Sequence, residues 1–137
     1  TPGLDQQFLN ETFTRVDQSI AYGALFTAFH LRCAAIVALT ESGSTALWMS
    51  RHDIDIPIYA LTPSVTTQRR LALYRNVRPL HFSITDDRDR ALAAAERLLL
   101  ERSRVKPGEL IVLTCGEPMG QPGGTNTLKI VSVGSFL

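Results

Sequence analysis

Thr40, Ser42, Ser44 and Thr45 put four hydroxyls within six residues, around Gly43, directly after the apolar run Ile36–Leu39. That order predicts a strand, a tight turn and a helix. Such a turn gathers unbonded backbone N–H groups, the positive end of a helix dipole and several hydroxyls at one point, which is equipment for holding an anion. Gly43 lets the backbone approach a ligand closely. The chemistry on offer is phosphate binding rather than bond breaking. The competing reading of the same residues is that Ser42 or Ser44 only caps the helix.

Other chemistries find little support. Cys33 and Cys115 form no CxxC or metal-ligand spacing, and both lie in or beside apolar strands as buried thiols. His30, His52 and His81 are scattered, which points away from zinc and haem. Asp86, Asp87 and Asp89 sit where acidic residues complement a helix start, and are not read as a Mg²⁺ cluster. Fourteen basic residues stand against thirteen acidic ones, with no basic run longer than a pair, so neither a nucleic-acid nor an anionic-membrane surface is indicated. The apolar stretches fall short of the roughly 18 residues that span a bilayer. Two isolated thiols suit a reducing, cytoplasmic setting. The chain opens on Thr1 with no leader-like segment and is read as a processed or truncated product.

The elements that must position the turn follow from periodicity. With 137 residues, 45% of them hydrophobic, the chain is long enough for one domain with a true core. Residues 1–10 read as a linker from an upstream domain, and 11–137 as the domain itself. From Glu11 to about Arg32 a long helix is expected, with Asn10 as its cap and Phe13, Val16, Ile20, Ala24, Ala28 and Leu31 facing inward. Strand Ala34–Leu39, helix Ser44–His52 and strand Pro57–Leu61 come next. A helix capped by Ser64 then runs to about Tyr74, before strand Val77–Ile84. The following helix starts at the aspartates, ends at Arg102 and Arg104, and turns Leu92, Ala95, Leu98 and Leu99 inward. Strand Glu109–Cys115, a glycine-rich loop Gly116–Thr125 and strand Thr127–Val133 complete the chain.

This alternation predicts an α/β fold, a three-layer α/β/α sandwich around a five-stranded, mostly parallel sheet. The final loop, about eleven residues, is too short for a parallel crossover, so the last strand should be antiparallel. Ligands of such sheets bind beyond the carboxyl ends of the strands, near a topological switch point. The Thr40–Thr45 turn and the Gly116–Thr125 loop both follow strands at that end.

Four stretches carry a resemblance to a known family. They are Ala35–Arg51 (AIVALTESGSTALWMSR), Pro57–Pro63 (PIYALTP), Leu71–Phe82 (LALYRNVRPLHF) and Lys106–Val133 (KPGELIVLTCGEPMGQPGGTNTLKIVSV). In order and over about residues 9–134, the chain resembles the C-terminal, effector-binding domain of bacterial pyruvate kinase. The resemblance implies a parent enzyme that moves a phosphoryl group from phosphoenolpyruvate to ADP with Mg²⁺ and usually K⁺. Its catalytic residues lie in a preceding (β/α)₈ barrel that is expected to be absent here. No catalytic and no metal-binding residue is therefore assigned to this chain, which alone is expected to be inactive.

Carried over position by position, Thr40, Ser42, Gly43, Ser44 and Thr45 are the effector phosphate loop, and Gly123, Gly124 and Thr125 belong to a covering loop. Position 44 is Ser where family members often place Arg or Lys, and Glu41 adds a repulsion of ~1 kcal/mol beside the anion. An AMP or sugar monophosphate is then accommodated more easily than a bisphosphate. Trp48 is open to three roles: core, subunit interface or pocket wall. Arg69, Arg70 and Arg75 read as solvated helix charges or as phosphate contacts. Subunits of the family meet through this domain, so self-association through the first helix and last strand is expected. The alternative function is a free-standing phosphometabolite sensor. A dinucleotide oxidoreductase would need G-x-G-x-x-G after the first strand, and the turn is Glu-Ser-Gly-Ser-Thr-Ala.

Overall fold

A computed structural model describes residues 15–83, 87–116, 119 and 124–135. The elements are α1 (Val16–Leu31), β1 (Ala35–Leu39), α2 (Ser44–Ser50), β2 (Ile58–Thr62), α3 (Val65–Leu71), β3 (Val77–His81), α4 (Arg88–Glu101), β4 (Leu110–Gly116) and β5 (Thr125–Ser132). The sheet order is β3-β2-β1-β4-β5. All pairings are parallel except β4 with β5, which is antiparallel with a register shift at Cys115/Gly116. The reversed final strand follows the reasoning from loop length.

Two cores flank the sheet because successive strand residues face opposite sides. Ile36 and Ala38 of β1 join Ala21, Ala24, Leu25 and Ala28 of α1, Met49 of α2 and Leu71 of α3. Ala35, Val37 and Leu39 join Ala91, Leu92, Ala95 and Leu99 of α4. Every residue of β1 and β2 is buried, as strands covered on both faces must be. The outer strands differ: β3 carries Pro79 and exposed Arg78 and His81, while β5 is longer and exposes Ile130.

Local chemistry sets the helix ends. Ser64 accepts the Thr67 N–H at 3.1 Å and Asp87 accepts the Arg90 N–H at 3.2 Å, so both act as N-caps. The helices are mostly shorter than periodicity suggests, α2 ending at Ser50 and α3 at Leu71.

Three expectations need correction. Val16 and Leu31, read as inward, are 65% and 45% exposed, and Asp17, Ala21, Tyr22 and Leu25 take the inner face of α1 instead. Ala24 and Ala28 keep their predicted place. On α4 the inner face is wider than expected: Leu98 packs half-buried against the core as read, and Glu96, not assigned inward, is buried too, accepting the Gly134 N–H at 2.8 Å. Strand β5 begins two residues early, which moves Thr125 from the loop into the strand. The linker, the Asn10 cap, Phe13, Ile84, Asp86 and Gly123 lie outside the described residues.

Candidate functional site

The strand sequence doubles back beside β1, where the chain winds outward through β2 and β3 before returning to β4. Both the turn after β1 and the carboxyl end of β4 at Gly116 therefore lie at the sheet's switch point, the usual ligand position of such folds. Thr40 extends the β1 ladder through its N–H to the Leu61 carbonyl at 3.0 Å. Its Oγ1 then accepts the Gly43 N–H at 2.8 Å, closing the turn in one step. Gly43 adopts φ +83°, and a Cβ there would meet Leu71 Cδ2 at 2.9 Å. Glycine is required for both reasons.

From Gly43 the chain enters α2. Ser42 Oγ accepts the Ser44 N–H at 3.3 Å and donates to Ser44 Oγ at 3.2 Å. Ser44 Oγ in turn donates to Asp17 Oδ2 at 3.1 Å. Thr45 is fully buried, and its hydroxyl donates to Thr125 Oγ1 at 3.0 Å. The N–H groups of Thr45 and Ala46 lie in the first helical turn, where no helical carbonyl is in reach. On the far side, Thr67 Oγ1 donates to the Glu41 carbonyl at 2.8 Å and Arg70 Nη2 donates to the Ser42 carbonyl. Elements α1, α3 and β5 thus all hold the turn.

The predicted residues are brought together unevenly. Thr40, Ser42, Gly43, Ser44 and Thr45 form one continuous turn, and Thr125 joins it through the buried hydroxyl pair. Gly124 is half-buried just before β5. Of the three arginines, Arg70 reaches the turn, while Arg75 pairs with exposed Asp53. Trp48 lies one helical turn past Ser44, packs partly on the core, and keeps its Nε1 buried without a hydrogen-bond partner. The Arg15 and Arg51 guanidinium carbons stand 5.9 Å and 4.9 Å from its ring centroid.

Sequence reasoning missed Asp17, Arg15 and Thr67. Asp17 is 2% exposed and is gripped by Arg15, Nε to Oδ1 at 2.9 Å and Nη2 to Oδ2 at 2.8 Å, with the Gln18 N–H at 3.0 Å. A signal for it existed: Asp17 sits four residues before Ala21, on the stripe that continues through Ala24, Leu25 and Ala28. The bidentate guanidinium is what allows a carboxylate to be buried there.

Hydroxyls, helix-start N–H groups and two guanidiniums suit an anion of modest size. Among the described residues, no three His, Cys, Asp or Glu side chains come together as a metal site. Cys33 and Cys115 form no disulfide and are buried in opposite cores, and burial pushes the Cys33 thiol up. No helix among the described residues is long and apolar enough to cross a membrane.

Comparison with known proteins follows the same geometry. Residues 18–131 match the family described as "Pyruvate kinase, alpha/beta domain". The chain is 36% identical over 131 residues to a pyruvate kinase of Buchnera aphidicola subsp. Baizongia pistaciae, covering 95% of this chain and 27% of that protein. It is 38% identical over 126 residues to pyruvate kinase II of Salmonella typhimurium, covering 91% and 26%. It is 38% identical over 121 residues to a pyruvate kinase of Staphylococcus aureus strain USA300, covering 88% and 21%. The chain thus spans about a quarter of the length of these curated relatives. With a family match over most of its length and every strand of the expected sandwich in place, the chain belongs to the pyruvate kinase alpha/beta domain family.

Proposed function

We propose that this chain is the effector-binding and assembly domain of a pyruvate kinase working in the reducing cytoplasm. Its ligand is a phosphorylated small molecule, AMP or a sugar monophosphate, seated on Thr40, Ser42, Gly43, Ser44 and Thr45 and covered by Gly123, Gly124 and Thr125. The observation that carries this reading is the buried hydroxyl pair of Thr45 and Thr125, which ties the turn after β1 to the start of β5 at the switch point. Phosphoryl transfer, with its Mg²⁺ and K⁺, is assigned to a barrel elsewhere in the parent enzyme, allosterically coupled to this domain.

Titration calorimetry with AMP and sugar monophosphates tests the turn. Ser42→Asp should abolish binding, because it fixes a negative charge where the phosphate sits. Its stability should hold, since an Asp carboxylate can still accept the Ser44 N–H that Ser42 accepts now. Glu41→Lys should tighten binding by up to about tenfold, or ~1.4 kcal/mol, as a repulsion becomes an attraction. Equal affinity in all three proteins would place the ligand elsewhere and leave the turn as a helix cap.

Assembly is proposed to run through α1 and β5. Strand β5 lies at the sheet edge and carries exposed Ile130, and α1 exposes Val16, Phe26 and Phe29. The opposite edge is blunted by Pro79 and flanking exposed Arg78 and His81. Pairing of two β5 strands about a two-fold axis would satisfy the open edge. Light scattering at ~100 µM, where a dimer of about −6 kcal/mol is populated, should give a mass above the 15.1 kDa of one chain. A strictly monomeric mass would overturn this.

A further inference from the structure

A cavity of about 340 Å³ opens where α1 ends and β2 is about to begin, at the amino ends of the central strands and away from the turn. It is lined by Phe29, Arg32, Cys33, Ile54, Asp55 and Ile56. Small-molecule sites run from roughly 300 to 1,000 Å³, so this one suits a small ligand. Both walls are fixed in place. Arg32 ends α1 at φ 54°, and the Cys33 N–H returns to the Ala28 carbonyl at 3.0 Å. On the other wall, the Asn76 amide donates to the carbonyls of Ile54 and Ile56. Cys33 and Ile54 are buried while Arg32 and Asp55 are exposed, which sets two opposite charges over an apolar floor. Among the described residues, no ion pair joins Arg32 to Asp55 or either of them to a third residue. The dipole of α1 accounts for a cation at its end. It accounts neither for the cavity beside that cation nor for the carboxylate on the facing wall.

We propose that this cavity binds a small zwitterion, an α-amino acid with an aliphatic or aromatic side chain. Its carboxylate pairs with the Arg32 guanidinium and its ammonium with the Asp55 carboxylate, while its side chain is covered by Phe29, Cys33, Ile54 and Ile56. The two charges select the class. A bare carboxylate would meet Asp55 and a bare amine would meet Arg32, each a like-charge contact, whereas a ligand carrying both signs on one carbon satisfies both walls. The end of α1 adds to this selection, because its last carbonyls and the negative end of its dipole favour an ammonium. Neither charge has to be taken from an existing ion pair and neither wall has to be built, so little ordering opposes binding. The site stands apart from the phosphate reading of the turn, with which it shares no residue.

Leucine is the probe, titrated by calorimetry into the whole chain and followed in parallel by alkylation of Cys33. Its two halves are the controls: isocaproate lacks the ammonium, and isopentylamine lacks the carboxylate. Each should bind about tenfold more weakly than leucine, the loss of one charge-assisted contact. Glycine, with no side chain to bury, should not bind. Arg32→Asn keeps a residue that tolerates the left-handed backbone. It and Asp55→Asn should each weaken leucine binding about tenfold. Leucine should also slow the alkylation of Cys33, read by peptide mass, because that thiol lines the cavity. Cys115, in the opposite core, is the internal reference. No heat and no protection of Cys33 at ~10 mM leucine, ten times a Kd of ~1 mM, overturns the site. Leucine affinity matched by glycine, or by either half, overturns the zwitterion reading. These comparisons use the wild-type chain, so they decide the matter even where a substituted chain fails to fold.

Discussion

Gly43→Ala is expected to destabilise the chain by about 3 kcal/mol, combining the penalty of a left-handed residue with that of an overpacked core. Gly43 sits at φ +83°, and an added Cβ would lie 2.9 Å from Leu71 Cδ2, 3.2 Å from Leu71 Cγ and 3.3 Å from Thr67 Cγ2. Leu71 is fully buried and cannot swing into solvent. Thermal melts should show a loss of roughly 10 °C. The steric part can be separated from the conformational part. Leu71→Ala alone should cost about 2–5 kcal/mol through the cavity it leaves. In that background, Gly43→Ala should cost only about 1 kcal/mol, the remaining left-handed strain. Strict additivity of the two substitutions would show that Leu71 is not what excludes a side chain at position 43.

Asn76→Ala should cost about 3 kcal/mol, and Asn76→Gly about 1 kcal/mol less. Asn76 adopts φ +61°, a conformation asparagine tolerates and alanine does not. Its Nδ2 donates to the Ile54 carbonyl at 3.1 Å and to the Ile56 carbonyl, and its own carbonyl accepts the Ile58 N–H at 3.1 Å. One side chain thereby fastens the connection between α2 and β2 to the start of β3. Glycine restores the backbone freedom but not the two hydrogen bonds, so urea denaturation of the two variants separates these contributions. Equal losses would mean that the left-handed backbone contributes nothing to the effect.

The sheet was legible because its signals are local. Runs such as Ala35–Leu39 and Ile58–Thr62 are apolar without interruption, which only a strand covered on both faces sustains. The length of the Gly116–Thr125 connection fixed the direction of β5. The turn was legible for the same reason, since glycine between hydroxyl residues after a strand has few other uses. What stayed hidden depends on partners distant in sequence. Asp17 looks like a surface residue by hydropathy and becomes a core residue only through Arg15 beside it and Ser44 27 positions away. Val16 and Leu31 show the reverse: apolar side chains on an exposed face, which hydropathy assigned inward. Arg70 could not be told from Arg69 until α3 was placed with one of them over the Ser42 carbonyl. Thr125 read as loop because the glycines before it masked the start of a strand that pairs with Gly116.

The hydroxyl pair of Thr45 and Thr125 spans 80 residues of chain, and this orders events during folding. The bonds inside the turn, Thr40 to Gly43 and Ser42 to Ser44, close over two or three residues and can form early. The wall supplied by β5 cannot, because it waits for β4 to dock against β1 and for β5 to pair with β4. Long-range closures of this kind are the slow steps of a fold. A nascent or partly unravelled chain therefore displays the turn before β5 stands beside it. The Thr45–Thr125 bond is then a seal on the finished sheet, made only in molecules whose final strand has arrived.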